Sequence, residues 1–402
     1  MKILVLLETN WLEKGPAQHH HLMDRLSEKG HEIHVIDYDI LWREKKWSLI
    51  KKRKVFRNVG RSCQGARVTV IRPTTVNLPI LEYASVGYFH MLEIIREVNS
   101  FKPDILVGFD ILNTYIGLKI AKAKKLPFVY YLIDSLHTLI PVKQLQPIGK
   151  FLEMKTLQQS DMVLVINEEL RRYAINLGAD PSKTYVIRAG IDSRRFNPDV
   201  GEFRVRKKYG IKSDDIVLFF MGWLYNFSGL KEVACSLMDY KTKPNIKLLV
   251  VGKGDLYEEL LKLKMDGLND RLILVDWQPY EKIPEFIAAS DICLLPAYNN
   301  EVMRHIVPIK MYEYMACGKP VIATRLPGIM KEFGEGNGVI YVEKPEEVLK
   351  KAVELAEDRQ KMRELGIKAA EYVQKYSWEA ITDQFEELLE DLANNKGNKK
   401  VT

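Results

Sequence analysis

The sequence lacks the features that mark membrane-spanning, secreted and cysteine-dependent proteins. Its longest apolar run, residues 216–225, is about half of the roughly 20 residues that a transmembrane helix needs. The apolar start, residues 1–7, meets an acid at Glu8 and is too short for a signal peptide, so it predicts a first buried strand. Paired cysteine spacings are missing too, which disfavours disulfides and cysteine–metal sites and favours a reducing cytosol. The four cysteines are Cys63, Cys235, Cys293 and Cys317.

Two signatures of ligand chemistry are also missing. No Gly-x-Gly-x-x-Gly fingerprint follows the first predicted strand, whose turn into a helix holds a single glycine, Gly15. No pair of carboxylates has a spacing that would mark a glycoside hydrolase. The sequence therefore supports neither a dinucleotide-binding fingerprint nor a glycosidase, and Gly15 stays a candidate for contact with a substrate phosphate.

What is present is the composition of a globular protein with more than one domain. The chain has 402 residues, of which 47% are hydrophobic and 28% charged, enough for two or three domains with a large core. The formal net charge of +7 is compatible with anionic ligands or an anionic membrane surface, but by itself it does not indicate nucleic acid.

Apolar runs alternate with helical patterns, which predicts βαβ units and parallel sheets. In the first half, strands are expected at residues 2–7, 31–36, 67–71, 104–107, 128–132 and 160–166, with helices at 17–29, 84–99, 115–124 and 169–177. The polar segment 199–215 reads as a linker. The pattern then restarts, with strands at 216–221, 247–251, 272–275, 291–295 and 321–323 and amphipathic helices over 346–390. The fold class expected is α/β, with two doubly wound halves.

Two clusters in the first half invite a binding interpretation. His19, His20 and His21 are adjacent on a helix, so they point about 100° apart and cannot share one tetrahedral ion. They predict a half-exposed helix face. Residues 41–57 carry eight basic side chains, one acid and several large apolar groups. They fit either a solvated face or a patch that binds an anionic membrane surface, while no motif supports nucleic acid.

The most informative stretch is residues 304–324. Pro308 starts a predicted helix, Gly318 ends it, and residues 321–323 form a short strand. Lys310 and Glu313 are three residues apart and so leave the helix from one face. A cation beside a helix N-terminus favours a diphosphate, and a carboxylate one turn later suits a ribose diol. A surface ion pair is the simpler alternative for an arbitrary Lys-x-x-Glu.

Residues 308–321 resemble the donor-binding motif of retaining, two-domain (GT-B) glycosyltransferases of family 4, in which Pro-x-Lys-x-x-Glu-x-Met-Ala-x-Gly-x-Pro-Val recurs. Residues 185–198 resemble a second element of that family, Ile-Pro-Asn-Gly-Val-Asp…Phe-x-Pro. The resemblance implies two Rossmann-like domains facing across a cleft: an acceptor domain at 1–198, a nucleotide-sugar domain at 199–375, and a terminal helix and polar tail at 376–402 that return to the first domain.

The resemblance also implies roles for single residues. Lys310 would meet the donor diphosphate, and Glu313 would hold the ribose. His305 stands eight residues before Glu313, where relatives often have a glutamate facing the donor sugar. Relatives place a histidine after the strand 128–132, and here Asp134 or His137 would take that role. Further substrate contacts are expected from Gly222, Gly229, Gly252, Lys253, Gln278 and Arg304.

The family pattern is broken near the phosphate site. Relatives carry an Arg after the first glycine of the 222–229 turn and a Lys before the second, whereas this chain has Trp223 and Ser228. Backbone N–H groups around Gly229, with Lys310 and Arg304, are the remaining candidates to meet the diphosphate charge.

The reaction implied by the resemblance is transfer of a sugar from a nucleoside-diphosphate sugar to an acceptor hydroxyl, with retention and without a metal ion or other cofactor. The acceptor expected is a glycan or lipid-linked molecule of cell-surface assembly, and the location is cytoplasmic or peripheral on the inner membrane face. A nucleotide-sugar 2-epimerase, a phosphorylase, and an inactive nucleotide-sugar-binding protein are the alternatives.

Overall fold

A computed structural model describes residues 1–13, 16–38, 50–76, 81–134, 136–140 and 143–398. The chain divides into two compact units. Unit 1 comprises Met1–Ala189 together with the C-terminal segment that begins at Trp378, and unit 2 is Gly190–Ser377. Within the part of the chain that is described, no helix is both long and apolar enough to cross a bilayer.

The strands expected from the sequence are all present, and the described residues form further strands at 50–51, 54–59, 75–76, 184–186 and 339–342. In chain order the strands are β1 (Lys2–Leu6), β2 (Glu32–Ile36), β3 (Ile50–Lys51), β4 (Lys54–Val59), β5 (Val68–Arg72), β6 (Thr75–Val76), β7 (Ile105–Gly108), β8 (Phe128–Leu132), β9 (Met162–Val165), β10 (Thr184–Val186), β11 (Ile216–Met221), β12 (Ile246–Val251), β13 (Leu272–Val275), β14 (Ile292–Leu295), β15 (Val321–Thr324) and β16 (Val339–Val342).

Helices connect most of these strands. They are α1 (Gln18–Glu28), α2 (Leu81–Ser100), α3 (Leu112–Ala123), α4 (Gln146–Gln159), α5 (Glu168–Asn176), α6 (Phe203–Lys208), α7 (Leu230–Asp239), α8 (Tyr257–Leu263), α9 (Ile283–Ala288), α10 (Ile309–Ala316), α11 (Pro327–Phe333), α12 (Val348–Glu357), α13 (Arg359–Val373) and α14 (Trp378–Asn398).

Unit 1 is built on a sheet in the order β10-β9-β8-β7-β1-β2-β5-β4. All neighbours are parallel except β4, which pairs antiparallel with β5 at the edge. Strand order reverses between β1 and β7. The central strands are fully buried, as expected when helices cover both faces of a parallel sheet.

Unit 2 has a six-stranded parallel sheet in the order β13-β12-β11-β14-β15-β16. Counted within the unit, this is the order 3-2-1-4-5-6 of a Rossmann fold. One face is covered by α7, α8 and α12, whose buried leucines and valines form a continuous core with the sheet. The doubly wound α/β prediction is therefore confirmed for both halves.

The first unit boundary lies at Ala189/Gly190, whereas the sequence predicts 198/199. The Ile191 N–H donates to the Tyr376 carbonyl at 2.7 Å, and Ile191 forms a parallel bridge with Ser377. Residues after 190 are thus built into unit 2 beside its last residues. The predicted linker 199–215 likewise contains α6, where the Arg206 guanidinium donates to Asp291 Oδ2 at 3.0 Å.

The half-exposed face predicted for the histidine run is wrong. His19, His20 and His21 are all buried, with 4%, 0% and 1% exposure. The His21 ring stacks on Trp378 at 4.3 Å between centroids, so α14 covers this side of α1. Burial lowers the pKa of His20 well below its ordinary value.

Candidate active site

The strand order of unit 2 reverses between β11 and β14. In doubly wound sheets, ligands bind beyond the carboxyl ends of the strands at such a reversal. Here those ends are Met221 and Leu295. The loops after β11 and β14 bring the side chains of the candidate site to this edge.

Helix α10 reaches this edge because its sequence fixes both of its ends. Pro308 is the N-cap, and Gly318 adopts φ +67° after the last turn, where the Gly318 N–H donates to the Met315 carbonyl at 2.9 Å. Met311 and Tyr314 are fully buried. The Tyr314 hydroxyl accepts a 2.9 Å hydrogen bond from the Met221 N–H, which ties α10 to the end of β11.

Lys310 lies at the carboxyl end of β11. Its Nζ donates to the Met221 carbonyl at 2.7 Å and stands 4.3 Å from the Phe220 ring centroid. Burial lowers the pKa of Lys310 from 10.5 to about 8, and the nearby Glu313 charge partly opposes this. A Cβ on Gly222 would lie 2.7 Å from the same Nζ, so a glycine leaves the ammonium room.

Glu313 lies on the same helix and is 4% exposed. Its Oε1 accepts a 2.7 Å hydrogen bond from the Tyr280 hydroxyl. Burial raises the pKa of Glu313 from 4.5 to about 7, while Tyr280, Lys310 and Arg195 oppose the rise. The structure thus brings Lys310 and Glu313 close enough to interact, and it adds a phenol as a fixed partner of the carboxyl group.

Tyr280 and Arg195 are residues that the sequence alone did not single out. The Arg195 guanidinium lies over the Tyr280 ring, 5.0 Å from its centroid. Tyr280 lies two residues after the predicted contact Gln278, but no sequence spacing links it to a glutamate 33 positions later. Only the packing of the 3-10 helix Tyr280–Lys282 against α10 reveals the pair.

Glycines shape the loops around Lys310. Gly229 adopts φ +72°, and a Cβ there would lie 1.9 Å from the Pro296 carbonyl oxygen. A Cβ on Gly252 would lie 1.9 Å from the Gly222 carbonyl oxygen. The backbones after β11, β12 and β14 are therefore packed directly against one another. The Lys253 carbonyl accepts from the Leu224 N–H at 3.0 Å, while its side chain is exposed.

The two departures from the family pattern have different surroundings. Trp223 is 41% exposed, whereas Ser228 is buried with 6% exposure. The Ser228 N–H donates to the Tyr225 carbonyl at 3.0 Å, which closes the turn before α7. Neither side chain supplies a cation, so Lys310 is the positive group that the described residues place at the end of β11.

Other predicted contacts are not brought to Lys310 by any described interaction. The Gln278 side-chain amide folds back onto the carbonyls of Asp276 and Trp277 at 3.1 and 3.2 Å. Arg304 is exposed on the 3-10 helix Met303–His305. The side chain of His305 and the whole of Gly15 lie outside the described residues.

The predicted residues of unit 1 follow the carboxyl end of β8. Burial raises the pKa of Asp134 to about 7, and its Oδ1 has no hydrogen-bond partner among the described residues. His137 Nδ1 lies 3.2 Å from Glu153 Oε2 and 3.1 Å from the Tyr173 hydroxyl. Glu153 is fully buried, so it and Tyr173 fix the orientation of the imidazole. No local spacing connects either partner to His137.

A second carboxyl group stands where the strand order of unit 1 reverses. Burial and the neighbouring Asp110 charge raise the pKa of Glu8 to about 8. Glu8 Oε1 accepts from the Asn113 N–H at 2.6 Å at the start of α3, and the Glu8 N–H donates to Asp110 Oδ2 at 2.5 Å. Glu8 therefore ties the ends of β1 and β7 to α3.

One group of side chains in the described part of the chain is close enough to share a metal ion: His31, Glu386 and Glu390. Glu386 is already paired with the Lys29 ammonium and with His31 Nε2. Lys29 thus supplies the positive charge there, and none of the predicted site residues belongs to this group.

Comparison with known proteins identifies the family. Residues 18–195 match the model of Glycosyltransferase Family 4, and residues 202–373 match that of Glycosyl transferases group 1. The chain belongs to glycosyltransferase family 4. This family 4 enzyme is 26% identical to the N-acetyl-alpha-D-glucosaminyl L-malate synthase of Bacillus anthracis over 94% of its own length and 93% of the relative.

Solved structures show that the family 4 enzyme has the GT-B fold. Sucrose-phosphate synthase from Thermosynechococcus elongatus aligns with a TM-score of 0.76 at 16% identity, covering 98% of this chain and 99% of that one. HepE (Alr3699) of Anabaena in complex with UDP-glucose aligns with a TM-score of 0.74 at 18% identity, covering 97% and 100%.

Proposed function

We propose that this glycosyltransferase moves a sugar from a nucleoside-diphosphate sugar to an acceptor hydroxyl with retention at the anomeric carbon and without a metal ion. The observation that carries the proposal is the position of Lys310, whose ammonium sits at the end of β11 at the strand-order reversal. The UDP-glucose bound to HepE, a protein of the same fold, supports this class of donor.

The chemistry needs charge separation to be stabilised. The bond between the anomeric carbon and the donor phosphate breaks, so negative charge grows on the leaving diphosphate as positive charge grows on the sugar ring. Lys310 and the N–H groups of the tight turn before α7 stabilise the departing oxygens, because fixed donors cost no reorganisation during the reaction. Glu313, oriented by Tyr280, accepts hydrogen bonds from the ribose diol.

In this proposal the remaining predicted residues divide between the reacting sugar and the donor. Asp134 and His137 would act on the reacting sugar, and His305 would take the role of the glutamate that relatives use there. Gly15, Gly252, Lys253, Gln278 and Arg304 complete the donor contacts. We further propose that the acceptor is a glycan or lipid-linked molecule of cell-surface assembly.

A panel of donors tests the proposal directly. Thermal shift against UDP-, GDP-, ADP- and CMP-sugars identifies the nucleotide, and release of nucleoside diphosphate in the presence of EDTA then measures metal-independent turnover. We expect Glu313→Ala to raise the donor KM or abolish turnover with an unchanged unfolding temperature of the free protein. Interconversion of the donor sugar without acceptor would indicate an epimerase, and binding without turnover an inactive binding protein.

We also propose a cytoplasmic, membrane-peripheral location with residues 41–57 facing anionic lipid. In the described part of this segment, Lys52 and Lys54 are exposed. Arg53 donates two 2.8 Å hydrogen bonds to Glu93, so its charge is already balanced within unit 1. Neutralising Lys51, Lys52, Arg53 and Lys54 together should weaken binding to anionic vesicles if the segment docks there.

A further inference from the structure

Helices α3 and α4 pack side by side in unit 1, and seven lysines lie on them or within a few residues of their ends. The set, called the basic face below, is Lys119, Lys122, Lys124, Lys125, Lys143, Lys150 and Lys155. All of them are exposed except the half-buried Lys155. Residues 112–125 and 143–159 hold a single acid, Glu153, and it is fully buried. The two helices therefore present positive charge with no exposed carboxylate of their own.

Two large apolar side chains stand among these lysines. Ile148 is 56% exposed and Phe151 is 51% exposed. With Lys155 they follow the spacing i, i+3, i+7, so the three share one side of α4, while Gly149 and Glu153 on the opposite side are buried against the unit. The Lys155 Nζ lies 5.6 Å from the Phe151 ring centroid. The exposed side of α4 is thus apolar at its centre and cationic at its edges.

The lysines of the neighbouring helix are held close together. Lys119 and Lys122 both donate to Gln159 Oε1, at 3.0 and 3.4 Å. An amide oxygen is neutral, so it orders the two ammonium groups without balancing their charge. Like charges held this close are relieved by an anionic partner, which makes this edge of the basic face complementary to a negatively charged surface.

We propose that the basic face docks on an anionic lipid bilayer, with Ile148 and Phe151 entering the headgroup region and the lysines meeting lipid phosphates. A bilayer would interact with both the apolar side chains and the lysines of the basic face, since the two contribute together to binding at a membrane interface. A nucleic acid backbone would use only the lysines and leave Phe151 against water or phosphate. This surface is distinct from residues 41–57, and the inference does not depend on the proposed transferase activity.

The test compares two double variants of the same design. In the first, Lys150→Glu and Phe151→Ser remove one exposed cation and one exposed apolar side chain from the basic face. In the second, Ile367→Ser and Lys368→Glu make the same change on α13 of unit 2, where Ile367 is 58% exposed. All four positions are exposed, so both variants are expected to keep the thermal unfolding temperature of the parent.

Sedimentation with vesicles of equal parts phosphatidylglycerol and phosphatidylcholine, and with pure phosphatidylcholine, gives the readout. We expect the parent and the α13 variant to bind only the anionic vesicles. The α4 variant should bind at least about tenfold more weakly, since each lysine near an anionic surface is worth roughly fivefold and Phe151 adds to this.

Three outcomes would overturn the inference. They are absence of parent binding to the anionic vesicles, equal binding by the parent and the α4 variant, and loss of binding in the variant at 51–54 with full binding in the α4 variant. Retention of the parent on double-stranded DNA without vesicle binding would assign the basic face to nucleic acid instead. Donor thermal shifts are measured on the same samples, so failure of the transferase proposal is seen separately.

Discussion

Lys310 and Glu313 are ionisable groups that folding removes from water. The pKa of Lys310 falls from 10.5 to about 8, so the folded state binds fewer protons than the unfolded state between these pH values, and stability rises with pH there. The pKa of Glu313 rises from 4.5 to about 7, so stability falls as pH increases through that window. Between pH 7 and 8 both groups are charged at a cost, which a bound diphosphate and ribose would offset.

The pKa shifts of Lys310 and Glu313 predict how donor capture depends on pH. Donor capture needs an ionised Glu313 and a protonated Lys310, so kcat/KM for the donor should decline below about pH 7 and above about pH 8. The profile is measured at low donor concentration. In Glu313→Gln the acid limb should vanish; its persistence would assign that limb to Asp134, whose pKa is also about 7.

Loss of the Lys310 ammonium should lower kcat strongly. We expect Lys310→Ala to lower kcat by about 10²–10³, or about 2.7–4 kcal/mol, because one fixed electrostatic contact to the departing group is lost. Lys319→Ala is the matched control, since Lys319 also donates to backbone carbonyls of unit 2, those of Ala288 and Ser290. Equal losses of kcat in the two variants would contradict a role for Lys310 in the transition state.

At the scale of the element, the turn from β11 into α7 is fixed by backbone packing. Leu224 is fully buried and the Leu256 N–H donates to its carbonyl at 3.0 Å. The Phe227 carbonyl accepts from the Tyr298 N–H at 2.9 Å. The backbone before α7 is therefore held in place, which is what an anion site built from backbone N–H groups requires.

Gly229→Ala tests this packing. The added Cβ would face the Pro296 carbonyl oxygen at 1.9 Å in a residue with φ +72°, so the turn must shift. We expect a loss of about 3 kcal/mol in the free energy of unfolding and a weaker donor thermal shift. In Gly201→Ala a Cβ meets nothing within 4 Å, so stability should change by less than about 0.5 kcal/mol. A stable Gly229→Ala protein with normal donor binding would refute the packing argument.

At the scale of the whole molecule, α14 belongs to unit 1, together with residues Met1–Ala189. Trp378, Phe385 and Leu389 of α14 are fully buried in unit 1. The Arg25 guanidinium lies 5.9 Å from the Trp378 ring centroid, and Lys29 pairs with Asp383 and Glu386. Unit 1 is thus discontinuous in sequence, and its stability depends on residues that follow unit 2.

Trp378→Ala measures that dependence. Removing a fully buried tryptophan leaves a cavity beside His21, so we expect the unfolding transition of unit 1 to lose about 3–5 kcal/mol in urea titration. Trp277→Ala removes the same side chain where it is 40% exposed and should cost less than about 1 kcal/mol. Comparable losses in the two variants would show that α14 contributes little to unit 1.

The local patterns of the sequence sufficed for the inner strands of both sheets and for the Lys310–Glu313 pair. Burial on both faces of a parallel sheet imposes continuous apolar runs, which is why these strands were predicted within a few residues, whereas the edge strands β4, β10 and β16 were not. Pro308 and Gly318 bracket α10 in the structure as expected. The three-residue spacing placed the two charges on one helix face, since helical geometry is local.

Tertiary structure decided which of those groups are buried, what they contact and where the units divide. Tyr280 on Glu313, and Glu153 with Tyr173 on His137, come from distant parts of the chain, and no local period connects them. The histidine run is buried because α14 covers it. Since α14 lies far along the chain, its packing on α1 cannot be predicted from the residues near position 20. Hydrophobic periodicity reflects the geometry of a single helix or strand, whereas the burial and the pKa of a side chain depend on every element that packs against it.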